Sequence, residues 1–99
     1  MNKKNNVVSD EQLNKYFNIT GEALEAVKKA EMDKERLNNA KDFLDMATRY
    51  YSDAKHFKKQ GDFVLAFAAL NYAHGWLDAG ARIGLFKVKD SRLFTVDEE

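Results

Sequence analysis

The chain has 99 residues, of which 44% are hydrophobic and 32% are charged, and this composition predicts one globular domain rather than a disordered chain. Its 16 basic and 16 acidic residues balance, so charge gives no argument for nucleic acid or an anionic membrane as a partner. Cysteine is absent, which excludes disulfides, thiolate metal sites and thiol nucleophiles and is compatible with the cytoplasmic location that we expect.

The first eight residues are mostly polar, and Val7 and Val8 are the only adjacent apolar residues among them. A signal peptide needs a longer apolar core, and a membrane-spanning helix needs about 20 apolar residues. We therefore expect residues 1–8 to form a flexible segment, and we expect no membrane partner.

The first helix is predicted over residues 9–31. Ser9 and Gln12 fit a capping box, in which the serine side chain accepts the amide hydrogen three residues further along. Apolar residues then recur at spacings of three and four, which is the pattern of one buried helix face. The positions on this face are Leu13, Tyr16, Phe17, Thr20, Leu24 and Val27.

The second helix is predicted over residues 34–60, with Asp33 as its N-cap after a short turn. It ends at Gly61, which can adopt the left-handed conformation that closes a helix. Asp62 follows at once as the N-cap of the third helix, which is predicted over residues 62–84. So short a link makes the second and third helices an antiparallel hairpin.

The predicted fold is therefore all-α, an antiparallel three-helix bundle with a short C-terminal extension. Gly84 is the natural end of the third helix, and the next residue, Leu85, is apolar, as in a Schellman motif. We expect the bundle domain to occupy residues 9–86 and residues 87–99 to form a C-terminal tail. The tail can pack as an extended strap, form a marginal hairpin or remain mobile, and we expect partial order at best.

Part of the chain resembles a known family. The segments that carry the resemblance are Tyr-Ser-Asp-Ala-Lys-His-Phe at 51–57, Gly-Asp-Phe at 61–63 and the run at 66–86. They resemble a family of small archaeal proteins known as domain of unknown function number 357, and the resemblance covers most of residues 10–86. It implies an archaeal source and a compact helical bundle, and it supplies no catalytic residues.

Two pairs of polar residues have spacings that metal and catalytic sites use. Asp53 and His56 lie three residues apart and His74 and Asp78 lie four apart, so each pair shares a helix face. In a hairpin that turns at Gly61, the two pairs are offset by roughly 12 Å or more along the axis, so one metal ion cannot bridge them. The alternative function is a small enzyme, or a ligand- or metal-binding bundle, that uses His74 or Asp53/His56. No cofactor is predicted.

The third helix is apolar on two nearly opposite faces. The first stripe consists of Phe63, Phe67, Leu70, His74, Leu77 and Ala81. The second stripe consists of Leu65, Tyr72, Trp76, Ala79 and Ile83, with Ala69 beside it. Such a helix requires burial on more than one face. The second stripe should therefore be covered by the first helix, by the tail, by a second copy of the chain or by another protein. Because His74 lies in an apolar stripe, we interpret it as a hydrogen-bonded core residue.

These observations favour a non-enzymatic helical module for protein–protein interaction or self-association. The predicted contact surface consists of Leu65, Tyr72, Trp76 and Ile83, and its aromatic members would supply most of the binding energy. The expected partner is a second copy of the chain, giving a homo-oligomer, or another protein. The sequence predicts no catalytic, cofactor-binding or metal-binding residue.

Overall fold

The computed structural model describes residues 8–96 and contains three α-helices in this range. They are α1 (Asp10–Lys29), α2 (Leu37–Lys59) and α3 (Phe63–Arg82), and a short 3-10 turn at Lys34–Arg36 leads into α2. The predicted all-α three-helix bundle is confirmed. The flexible segment predicted at residues 1–8 lies outside the described residues, except for Val8.

Side-chain caps begin α1 and α3 as the sequence predicted. The Ser9 hydroxyl oxygen accepts the amide hydrogen of Gln12 at 3.0 Å. The predicted cap of the second helix is wrong, because Asp33 caps the 3-10 turn and α2 itself begins at Leu37 without a side-chain cap. At the start of α3 the Asp62 carboxylate accepts the amide hydrogen of Leu65 at 3.2 Å. Each cap satisfies a backbone donor that the helix itself leaves free.

Two glycines end helices in the left-handed conformation. Gly61 has φ of 79° and Gly84 has φ of 81°. After α2, the amide of Asp62 donates to the carbonyl of Phe57 at 2.9 Å, and the equivalent bond after α3 joins Leu85 to Gly80 at 2.8 Å. These are Schellman closures, and the first of them turns α2 directly into the antiparallel α3.

The contact between α2 and α3 is the most extensive one in the bundle. Small residues line it on both helices, and Ala40, Ala47 and Ala54 of α2 recur at every seventh position with no exposed surface. Ala66 and Ala73 of α3 are equally buried. Because an alanine line has little side-chain bulk, the two backbones approach closely along their whole length.

The chain after α3 returns across the turn between the first two helices. Lys87 donates its amide hydrogen to the carbonyl of Glu31 at 3.0 Å, and Phe86 forms an isolated antiparallel bridge with Met32. Leu93 and Phe94 are then buried in the same core as α1 and α3. Through Val96, this segment adopts the packed strap, one of the predicted alternatives. The expectation of partial order at best is wrong for these residues, because long-range contacts bury Leu93 and Phe94.

Gly80 makes room for this return. A Cβ atom at Gly80 would collide with the ring of Phe86, which is almost fully buried against α3. The glycine in the last turn of α3 is thereby explained by packing, since any side chain there would displace Phe86.

Candidate protein-contact surfaces

Three of the four residues predicted to form a contact surface are exposed. The exposed fractions are 46% for Leu65, 55% for Tyr72 and 52% for Ile83. The fourth, Trp76, is only partly exposed and packs against the core. The predicted surface therefore consists of a rim of exposed apolar side chains beside a tryptophan that already belongs to the fold.

Helix α2 covers part of the second stripe, which the sequence analysis did not foresee. The rings of Phe43 and Trp76 meet edge to face with centroids 4.9 Å apart, and those of Tyr50 and Tyr72 do so at 4.4 Å. The first helix and the tail were the parts of the chain expected to cover the second stripe. Both lie against the first stripe instead. The Nε1 atom of Trp76 is buried and has no hydrogen-bond partner among the described residues.

An apolar depression of about 280 Å³ opens on the outer side of α3. Its lining residues are Phe43, Tyr72, Gly75, Trp76 and Ala79. Gly75 is exposed, and a Cβ atom built on it would meet nothing within 4 Å. The fold itself therefore gives no reason for a glycine at this position, where alanine would favour the helix by about 1 kcal/mol.

The exposed side of α3 carries a regular repeat. Exposed residues follow one another at alternating spacings of three and four, the spacing of a coiled-coil seam. The positions are Leu65, Ala68, Tyr72, Gly75, Ala79 and Arg82, which we call the outer face of α3. Ala68 and Gly75 were not predicted as part of a contact surface, because that surface was assigned from bulky apolar residues. The three-and-four spacing is nevertheless present in the sequence.

The two ring nitrogens of His74 are both engaged within the fold. Nδ1 lies 3.1 Å from the hydroxyl of Thr20, which is itself buried, and Nε2 lies 2.7 Å from the carbonyl oxygen of Leu93. The Phe94 ring stacks on the imidazole at 6.5 Å. The predicted hydrogen bonding of His74 is confirmed, although the residue is only part-buried and lies at the edge of the core. Its partners tie α1 and the tail to α3.

Asp78, the other member of that pair, also holds the tail. Its carboxylate accepts hydrogen bonds from the amide and the hydroxyl of Thr95. Arg92 adds an ion pair with Glu22 of α1 at 2.9 Å. The tail segment is thus fixed by polar contacts on both of the helices that it crosses.

The residues of the alternative function do not come together. Asp53 and His56 are exposed on α2, whereas His74 and Asp78 point toward α1 and the tail. Within residues 8–96 there is no group of three or more histidine, cysteine, aspartate or glutamate side chains arranged to hold a metal ion. The two pairs therefore do not form one site.

Electrostatic contacts stabilise the turn that precedes α2. Hydrogen bonds from the Arg36 side chain and the Glu35 amide lower the pKa of Asp33 below its ordinary value. Arg36 also donates to the carbonyl oxygen of Ile83 at 2.8 Å, at the end of α3. The Asp33 carboxylate therefore orients the Arg36 side chain, which joins the turn to α3.

The fold and these surfaces define a small helical-bundle domain with uncovered inter-helix faces, and none of the helices in the described range has the length and apolar character to cross a bilayer. The chain belongs to the family described as Protein of unknown function (DUF357), whose model matches residues 15–86. Searches of curated proteins and of solved structures gave no match.

Proposed function

We propose that the protein is a non-enzymatic helical interaction module that forms an antiparallel homodimer through the outer face of α3. The observation that carries the proposal is the exposed three-and-four repeat of this face. A helix seam with this spacing packs well against another helix, and no described part of the chain lies over it.

The order of large and small residues along the outer face favours a second copy as the partner. Its N-terminal half presents Leu65 and Tyr72, whereas its C-terminal half presents Gly75 and Ala79. When two copies of α3 lie antiparallel and overlap along the whole helix, Tyr72 of each copy faces Gly75 of the other. Leu65 packs on the aliphatic stem of Arg82 at each end of the pair. A parallel arrangement would set large against large and leave a gap between the small residues.

The depression on α3 fits the same arrangement. In an antiparallel pair that overlaps along the whole helix, Tyr72 of one copy lies beside Gly75 of the second copy, where the depression opens. The Tyr50 ring supports Tyr72 from behind, so the tyrosine loses little freedom when it becomes an anchor. Two-fold symmetry forms this contact twice, so the association ends at two copies and does not continue into a filament.

Electrostatics does not oppose the pairing. Arg82 is the single charged residue of the outer face, and it lies at the end of the helix. In the antiparallel arrangement the two copies of Arg82 stand at opposite ends of the interface, so they do not repel each other at close range. Most of the surface area buried in the dimer would be contributed by carbon atoms, which is typical of homodimer interfaces.

We also propose a cytoplasmic setting and an archaeal source. The cysteine-free composition supports the first. The resemblance to the family supports the second. Neither proposal affects the dimer argument, which rests on the residues of α3 alone.

The test is sedimentation equilibrium on the wild type and on the Leu65→Lys variant. Leu65 is exposed, so lysine there should leave the monomer folded, whereas in the antiparallel pair it would stand beside Arg82 of the second copy. We expect a wild-type dimer at micromolar concentration and a variant that is monomeric, because like charges placed together at an interface cost several kcal/mol, on the order of a thousandfold in affinity.

The matched control is Leu37→Lys. Leu37 is also exposed, at 38%, and also begins a helix, but it lies on α2 and outside the outer face. This variant should dimerise like the wild type. A monomeric wild type, or equal dissociation of both variants, would contradict the proposed interface.

A further inference from the structure

The seam between α1 and α2 is open in the described part of the chain, although α3 packs along both helices. A depression of about 700 Å³ lies in this seam near the end of α2, and its lining residues are Asn14, Phe17, Asn18, Lys55, Lys58 and Lys59. A second depression of about 360 Å³ shares Lys55 and continues past Tyr51 and Gly21. Together they form one elongated groove, which we call the α1/α2 groove.

Two aromatic rings form the floor of the groove and are held in place by the fold. The rings of Phe17 and Tyr51 meet edge to face at 5.7 Å, and the Tyr51 hydroxyl donates to the Phe17 carbonyl at 3.3 Å. A Cβ atom at Gly21 would stand 2.7 Å from that hydroxyl, so the glycine leaves room for it. Burial, with the nearby charge of Glu25, raises the pKa of Tyr51 and keeps the phenol neutral.

Lysine side chains are held over this aromatic floor. The ammonium group of Lys55 lies 5.1 Å from the centre of the Tyr51 ring, and that of Lys58 lies 5.4 Å from the centre of the Phe17 ring. Lys58 also donates to the side-chain oxygen of Asn14 at 2.6 Å. Attraction between cations and ring faces keeps the positive charge at the groove instead of out in solvent.

The positive charge of the groove is not neutralised by the described residues around it. Lys55, Lys58 and Lys59 form no ion pair with any residue between 8 and 96. The carboxylate of Glu25 lies along the same groove, but it pairs with Lys28 at 3.3 Å. The negative end of the α2 dipole accounts for cations in its last turn, but it does not account for their placement over an apolar floor.

We propose that the α1/α2 groove binds an acidic amphipathic helix of another protein. Apolar side chains of that helix would cover Phe17 and Tyr51, and its carboxylates would pair with Lys55, Lys58 and Lys59, which is the helix-in-groove mode of recognition. A small molecule would stay largely exposed in so open a groove. A nucleic acid would need a longer track of cations than one turn of α2 provides.

The test uses a fluorescent synthetic peptide designed as an acidic amphipathic helix, with leucines on one face and glutamates elsewhere. We expect saturable binding in a fluorescence anisotropy titration, and binding should weaken as salt is added. The double variant Lys55→Glu/Lys58→Glu should raise the dissociation constant at least about tenfold, because like charges at an interface are strongly unfavourable. The Leu65→Lys monomer should bind as well as the wild type, since this inference does not depend on dimer formation.

The double variant Lys34→Glu/Lys41→Glu is the matched control, because it changes net charge equally but outside the groove. It should leave the dissociation constant within roughly twofold of the wild-type value. Three results would overturn the proposal: equal weakening in both double variants, equal binding of a scrambled peptide without an apolar face, or no saturable binding. Stronger binding of a single-stranded RNA of the same length would also overturn it and indicate a nucleic-acid surface.

Discussion

The two sides of α2 are built in opposite ways. Toward α3 it presents Ala47 and its heptad neighbours, and the seam is closed at these alanines. Toward α1 it presents Tyr51 and Lys55, and the seam is an open groove. Side-chain size accounts for the difference, because alanines let helices approach closely whereas an aromatic ring held against Phe17 keeps the next helix at a distance.

This difference separates the surface that is buried within the fold from the exposed surfaces for which we propose binding. The closed seam gains its stability from burial within the chain, so its residues are not available to a partner. The open groove and the outer face of α3 contribute less to the core and keep apolar atoms exposed, which is typical of binding surfaces. Their chemistry differs, since one is basic and aromatic and the other is nearly uncharged.

The largest effect is expected from enlarging a residue in the closed seam. Ala47→Leu should destabilise the protein by about 3 kcal/mol, because Ala47 has no exposed surface and the added carbons force the two helices apart. Urea denaturation followed by circular dichroism measures the change.

The adjacent substitution Thr48→Leu places the same side chain on the groove side of α2. Thr48 is exposed and lines the second depression, so the free energy of unfolding should change by less than about 0.5 kcal/mol. A similar loss in both variants would mean that the two seams do not differ in packing as described.

A smaller effect is expected at the seam between α1 and α3, which the tail closes. His74→Phe should cost about 2 kcal/mol, because it leaves the buried Thr20 hydroxyl and the Leu93 carbonyl without their partner. His56→Phe is the control, since His56 is exposed on α2 and has no such role. Equal stability of the two variants in thermal melts would refute the assigned hydrogen bonds.

The fold was largely predictable from sequence because local signals determine it. Ser9, Asp62 and the glycines at 61 and 84 act through backbone conformation and capping within a few residues, so they are visible in the chain itself. The hairpin between α2 and α3 follows from a link too short for any other arrangement. The start of the second helix differs from the prediction because residues 34–36 form a 3-10 turn, which continues into α2 and has similar sequence signals.

The contact surfaces were only partly predictable because they depend on which helices meet. The exposure of Leu65 and Tyr72 could be expected, but the cover that Phe43 gives to Trp76 depends on the rotation of α2 about its axis. The tail could not be placed either, because its return is directed by long-range contacts such as that between His74 and Leu93. Sequence periodicity reports the face of a helix and not the identity of its neighbour.

Gly75→Ala tests the central claim most directly, because it should change stability and association in opposite directions. The added methyl group meets nothing in the monomer, so the helix should gain about 1 kcal/mol in a melt at low protein concentration. In the dimer the same group narrows the space beside Tyr72 of the second copy, and it does so twice. Sedimentation equilibrium should show a dimer dissociation constant at least about tenfold higher than that of the wild type. A variant that dimerises as tightly as the wild type would contradict the antiparallel interface on α3.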